Sequence, residues 1–199
     1  MRGIVISILL GASLAACGSS APGSPASAPA VTPTPVPTAP ATPLPAASAS
    51  GVPVDPSLLA LLPPDVNGFA ITESPEAETS AAQSSDLSPV ATSFAAGLAA
   101  DSAGTNWAFG VVLALRPGVM SDAAFRTWRD SYDKGACSQA GGVVGHAETK
   151  LGGRLAYIAS CGGGVHTYHV WLPERQRLVS VSAVGEGRFG ERLVAGIRD

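Results

Sequence analysis

Residues 143–184, VVGHAETKLGGRLAYIASCGGGVHTYHVWLPERQRLVSVSAV, decide the fold. β-Branched and aromatic residues gather in four runs, at 143–150, 154–161, 165–172 and 178–184. Gly152-Gly153, Gly162-Gly163-Gly164 and Pro173-Glu174-Arg175-Gln176 separate them. Separators this short join antiparallel neighbours, so the stretch predicts a meander of hairpins.

The flanks add to that sheet. Residues 106–115 alternate as a strand, with Trp107, Phe109, Val111, Leu113 and Leu115 on one face. Arg116-Pro117-Gly118 turns the chain, and Ser121 caps a helix with Phe125, Trp128 and Tyr132 as its apolar stripe. Met120 is placed to pack on Phe125 as a hydrophobic staple. Arg126 with Asp130 and Arg129 with Asp133 stand at i,i+4, which predicts a solvated helix face. Gly187 or Gly190 opens a last helix, with Phe189, Leu193 and Ile197 toward the sheet.

Upstream, Asp55-Pro56 starts a short helix that Pro63-Pro64 ends, and residues 68–72 allow a strand. Residues 73–86 are polar and acidic and read as a loop. Val90, Phe94 and Leu98 recur every four residues, predicting a helix capped by Asp86 or Ser88 and weakened at Gly97. The expected fold is α+β: an antiparallel sheet of about five strands with helices packed on one face.

The chain has 199 residues and a formal net charge of −3, which gives no nucleic-acid footprint. No Lys or Arg occurs between Gly3 and Leu115, while Asp55, Asp65, Glu73, Glu76, Glu78, Asp86 and Asp101 all lie there. The arginine-rich half is the C-terminal one, and no repeat of fixed period is visible.

The first residues carry a different signal. Met1-Arg2 is a positive start, followed by apolar residues from Ile4 to Leu10 and then Leu14-Ala15-Ala16-Cys17. The apolar run is shorter than the roughly 20 residues a membrane-spanning helix needs. It reads as a processed signal. Leu14-Ala15-Ala16-Cys17 resembles the lipobox of bacterial lipoproteins. That resemblance implies cleavage before Cys17, a lipid anchor on its sulfur with palmitate among its acyl chains, and a place on the outer side of a membrane. It implies nothing about activity. Residues 18–54 are rich in Pro, Ala, Ser and Thr, and Val31-Thr32-Pro33-Thr34-Pro35-Val36-Pro37 is their clearest part. Such a segment is expected to be an extended tether, with a reach on the order of 100 Å as polyproline II. The expected organisation is a signal at 1–16, an anchored tether at 17–54 and one domain at 55–199.

With Cys17 used by lipid, Cys137 and Cys161 remain, and an oxidising compartment favours a disulfide between them. The competing reading makes Cys161 a nucleophile with His166 or His169, as in an enzyme acting on cell-wall peptide. Gly185-Glu186-Gly187-Arg188-Phe189-Gly190 matches a dinucleotide-binding pattern between a strand and a helix. The described pattern lacks a following parallel strand and a ribose-binding acid, so a glycine-rich turn is the expectation and no cofactor is assigned. Arg188 and Arg192 near that helix start are candidates for holding an anion. Ser131-Tyr132-Asp133-Lys134 matches the serine–lysine pair of penicillin-recognising enzymes, but sits at a helix end without the partner motifs.

No metal ligands are assigned. His166 and His169 fall on opposite faces of one strand, and His146 shares a polar face with Glu148 and Lys150. One half-buried and two surface histidines are expected. Trp107, Trp128, Tyr168 and Trp171 fit the core better than a ligand groove. The sequence thus favours a non-enzymatic, membrane-anchored module that binds an unidentified ligand. Its rivals are the cysteine enzyme and an arginine-rich docking module for an anionic partner.

Overall fold

The computed structural model describes residues 51–84 and 86–198; the signal, Cys17 and most of the tether lie outside them. Asp55 caps a 3₁₀ turn at Pro56–Leu61 by accepting the Ser57 N–H at 3.1 Å. Two short strands, β1 (Asp65–Val66) and β2 (Phe69–Ala70), form a hairpin, and β3 (Thr72–Glu73) leads into α1 (Pro75–Ala82). Then come β4 (Ala91–Ala100), β5 (Trp107–Leu115), α2 (Asp122–Cys137), β6 (Val143–Leu151), β7 (Arg154–Cys161), β8 (His166–Leu172), β9 (Arg177–Val184) and α3 (Phe189–Ala195).

The main sheet has seven antiparallel strands in the order β3-β4-β5-β9-β8-β7-β6. The α+β class therefore holds, and the sheet is larger than five strands. The four C-terminal strands and β5 lie where the alternation put them. The added strand of substance is β4, where a helix was expected. Its sequence ATSFAAGLAA is rich in good helix formers. Tertiary context overrides that preference: β4 pairs with β5 along its whole length and buries Ala91, Phe94, Ala95, Ala96 and Ala99. Small residues suit a strand enclosed on both faces, and at Gly97 a Cβ would stand only 2.8 Å from Ile71 Cγ2.

The acidic stretch expected as a loop contains α1. Its Glu78 turns inward and accepts the Ala96 N–H at 2.9 Å, closing the β4 edge where β3 ends. The domain also starts earlier than Asp55. Val52 is buried, and Pro53 and Asp55 exchange backbone hydrogen bonds with Phe94.

Helices cover both faces of the sheet, against the expectation of one. On the first face α3 and the 3₁₀ turn bury Leu58, Leu62, Leu193 and Val194 against Val112, Val179, Val181 and Ala183. On the second face α2, capped by Ser121, lays Phe125 on Leu178, Tyr157 and Trp171, with Met120 in the same cluster. The alternation in β9 explains both layers. Val179, Val181 and Ala183 face α3, while Leu178, Ser180 and Ser182 face α2. Cys137 at the end of α2 joins Cys161 at the end of β7, with Cα atoms 5.2 Å apart.

Candidate functional site: a buried polar chain between the second helix and the sheet

The face under α2 is unusual in what it buries. Asp133, Thr167, His169 and Ser180 are each at most 1 % exposed. They form one chain of hydrogen bonds. Trp128 donates its indole N–H to Ser180 Oγ at 3.0 Å, and Ser180 meets His169 Nδ1 at 2.9 Å. His169 Nε2 meets Asp133 Oδ1 at 2.8 Å, and Thr167 donates to the same oxygen at 2.5 Å. With its proton on Nε2, His169 donates to Asp133 and accepts from Ser180, so every link has a donor and an acceptor. Tyr132 completes the layer, bonding Ser182 at 3.1 Å and standing edge-on to His169.

Local folding explains the set. Helical spacing points Phe125, Trp128 and Tyr132 at the sheet, and Asp133 follows Tyr132 around the same side. The i,i+4 pair expected between Arg129 and Asp133 is therefore absent from the solvated face. Arg129 instead pairs with Asp130 at 3.1 Å and lies over the Tyr157 ring. Thr167 and His169 share one face of β8.

Serine, histidine and aspartate in sequence are the parts of an acyl-transfer triad. Here the order of contacts matches but access does not. Ser180 is fully buried and its oxygen already accepts the Trp128 N–H. A nucleophile needs an open approach and a place for an oxyanion. This chain is better suited to fixing the Asp133 carboxylate.

That carboxylate is the anomaly. Burial pushes its pKa up, but hydrogen bonds from His169 and Thr167 outweigh this and hold it below the usual carboxylate range. Oδ1 takes two hydrogen bonds. Oδ2 takes none, and among the described residues it is the one buried side-chain polar atom without a partner. It points toward His146 Nε2 at 3.7 Å, which is too long for a hydrogen bond. His146 lies on β6 and is 55 % exposed. Asp130, one helical turn before Asp133, brings its carboxylate to the same spot, and the three donor atoms lie within 4.8 Å of one another.

The histidines differ from the sequence expectation. His169 is fully buried, His166 is half-buried and His146 exposed. His166 and His169 do fall on opposite faces, and His166 bonds Ser160 at 3.1 Å. The missed set is Asp130, Asp133 and His146. The D-x-x-D spacing on a helix is visible in sequence, but its convergence with a strand thirteen residues on is not.

The disulfide, His166, the C-terminal arginines and the glycine-rich turn lie outside this hydrogen-bond chain. Cys161 is taken up by Cys137, and neither His166 nor His169 is turned to its sulfur: His166 bonds Ser160 and His169 bonds Ser180 and Asp133. Arg188 pairs with Glu191 at the start of the seven-residue α3, and Arg192 is exposed on it. In the glycine-rich turn, Gly185 has φ +96°, and Gly187 donates to Asn106 Oδ1 at 2.7 Å. A Cβ at Gly190 would overlap the Tyr168 ring. These glycines let the β9–α3 turn approach the β4–β5 hairpin and the sheet. Ser131 and Lys134 are exposed on α2. Tyr168 is buried, and Trp107, Trp128 and Trp171 are half-buried.

An open depression of about 710 Å³ lies between Gly51, Val52, Val54 and the α1 residues Pro75, Glu78 and Thr79. No described helix is long and apolar enough to cross a membrane. No protein family, curated protein or solved structure matches the chain.

Proposed function

We propose that the chain is a lipid-anchored module on the outer side of a bacterial membrane, held by Cys17 and a proline-rich tether, and that its domain binds rather than transforms its ligand. One observation carries the second half. Ser180, which meets the buried His169, and Cys161, the sequence's candidate nucleophile, are both committed inside the fold, one to Trp128 and His169 and the other to Cys137. The first half is supported by Leu14-Ala15-Ala16-Cys17 and the apolar run before it.

Two measurements test the reading. Metabolic labelling with palmitate should mark the full chain and lose the mark in Cys17→Ser; equal labelling of both overturns the anchor. A fluorophosphonate probe and a thiol alkylator should leave the folded chain unmodified at Ser180 and Cys161. Labelling of either residue under native conditions would favour an enzyme.

A further inference from the structure

We propose that Asp130, Asp133 and His146 bind a divalent transition-metal cation, Zn²⁺ being the chemical type that fits the donors best. This names a ligand for the binding module and rests on reading the domain as a binder. Four observations converge.

The first is the unpartnered Oδ2 of Asp133, on a side chain that is 1 % exposed and aimed at His146. A buried carboxylate oxygen without a partner is costly, and native folds rarely leave one. The second is spacing. Two ligand atoms on one tetrahedral Zn²⁺, each about 2.0–2.2 Å from it, stand about 3.3–3.6 Å apart. The observed 3.7 Å between Oδ2 and Nε2 needs only a small closure. The third is the donor set. Two carboxylates and an imidazole suit Zn²⁺ and its first-row neighbours, whereas Ca²⁺ takes six to eight oxygens.

The fourth is the support behind the site. Metal-binding carboxylates are held in turn by other hydrogen bonds, which fix their orientation. Thr167 and His169 hold Oδ1 of Asp133, and Ser180 and Trp128 hold His169. The chain that looked like a triad thus presents one oxygen outward. Arg129 does the same for Asp130, donating its Nε–H to Oδ1 at 3.1 Å. Three protein donors leave a coordination position open for water or for an atom of a bound partner.

The test is isothermal titration of the full chain, purified in detergent, with ZnCl₂ and separately with CaCl₂. One Zn²⁺ per chain is expected, with a thermal shift on loading and far weaker Ca²⁺ binding. His146→Gln and Asp130→Asn change exposed side chains and should keep the fold, checked by circular dichroism. Each should weaken Zn²⁺ on the order of tenfold or more and remove the thermal shift. Absence of saturable Zn²⁺ binding overturns the site, as does binding that both variants retain. The first outcome would leave an Asp133–His146 ion pair as the full account of the contact. Probe labelling of Ser180 or Cys161 in the folded chain would overturn the binder reading and leave the titration unaffected, so the two failures are distinguishable.

Discussion

The two faces of the sheet solve the same problem with different chemistry. Under α3 the layer is apolar: Leu193, Val194, Val179, Val181 and Ala183 pack in one cluster of buried hydrophobic residues. Under α2 an apolar patch around Phe125 and Leu178 gives way to Trp128, Tyr132, Asp133, Thr167, His169, Ser180 and Ser182. An apolar layer stabilises by area alone and tolerates substitutions that conserve volume. A buried polar layer must have every group partnered, and replacing it with apolar residues is often neutral or stabilising. The α2 face keeps a polar layer with one oxygen left over. That difference locates the candidate site.

Removing one partner from the polar face should have the largest effect. Asp133→Ala strands His169 and Thr167 without an acceptor, and we expect a loss of about 3–5 kcal/mol in urea unfolding. Leu193→Ala on the apolar face should cost about 2–5 kcal/mol through the cavity it leaves. A volume-conserving Leu193→Met should cost less than about 1.5 kcal/mol, whereas the near-isosteric Asp133→Asn should not be tolerated to the same degree. Equal tolerance at both positions would erase the contrast.

Next in size is the covalent pin of α2. Cys137→Ser with Cys161→Ser should lower stability by roughly 3–4 kcal/mol, since the pair closes a loop spanning 24 residues. Intact mass with and without reductant checks the bond itself. Smaller again, Trp128→Phe keeps an aromatic ring but loses the N–H to Ser180 and part of the indole's volume, and should cost about 1–2 kcal/mol.

The smallest effect at neutral pH comes from Tyr168 on the α3 face. Burial, with the Glu191 charge adding and the Arg188 charge opposing, pushes its phenol up to about 12. Its contribution is therefore complete below pH 10, where the unfolded phenol also stays neutral. It should fade as pH rises from 10 through 12. Tyr168→Phe should flatten that alkaline loss of stability, and an unchanged alkaline limb would count against the burial of the phenol.

Periodicity made most of the sheet legible. The alternation in residues 106–115 and the short separators at Gly152-Gly153 and Gly162-Gly163-Gly164 gave β5 through β8 their places. Ser121 and the Phe125–Trp128–Tyr132 stripe did the same for α2. Two elements failed for one physical reason: local propensity lost to long-range contact. The alanines of β4 prefer helix, yet full pairing with β5 decides their state. The acids of α1 suggest solvent, yet Glu78 serves the Ala96 N–H. The two-faced sheet was hidden because Ser180 and Ser182 give β9 a polar face that reads as solvated. The candidate site was hidden for a related reason. Asp133 has a surface salt-bridge partner by sequence spacing in Arg129, and only the packing of α2 shows that it turns inward.

The most direct measurement is anomalous diffraction at the zinc edge from crystals of the chain loaded with one equivalent of Zn²⁺. The account predicts a single peak about 2.0–2.2 Å from Asp133 Oδ2, His146 Nε2 and an Asp130 oxygen, with Asp133 Oδ1 still held by Thr167 and His169. A peak elsewhere, or no peak with His146 hydrogen-bonded directly to Oδ2, would contradict it.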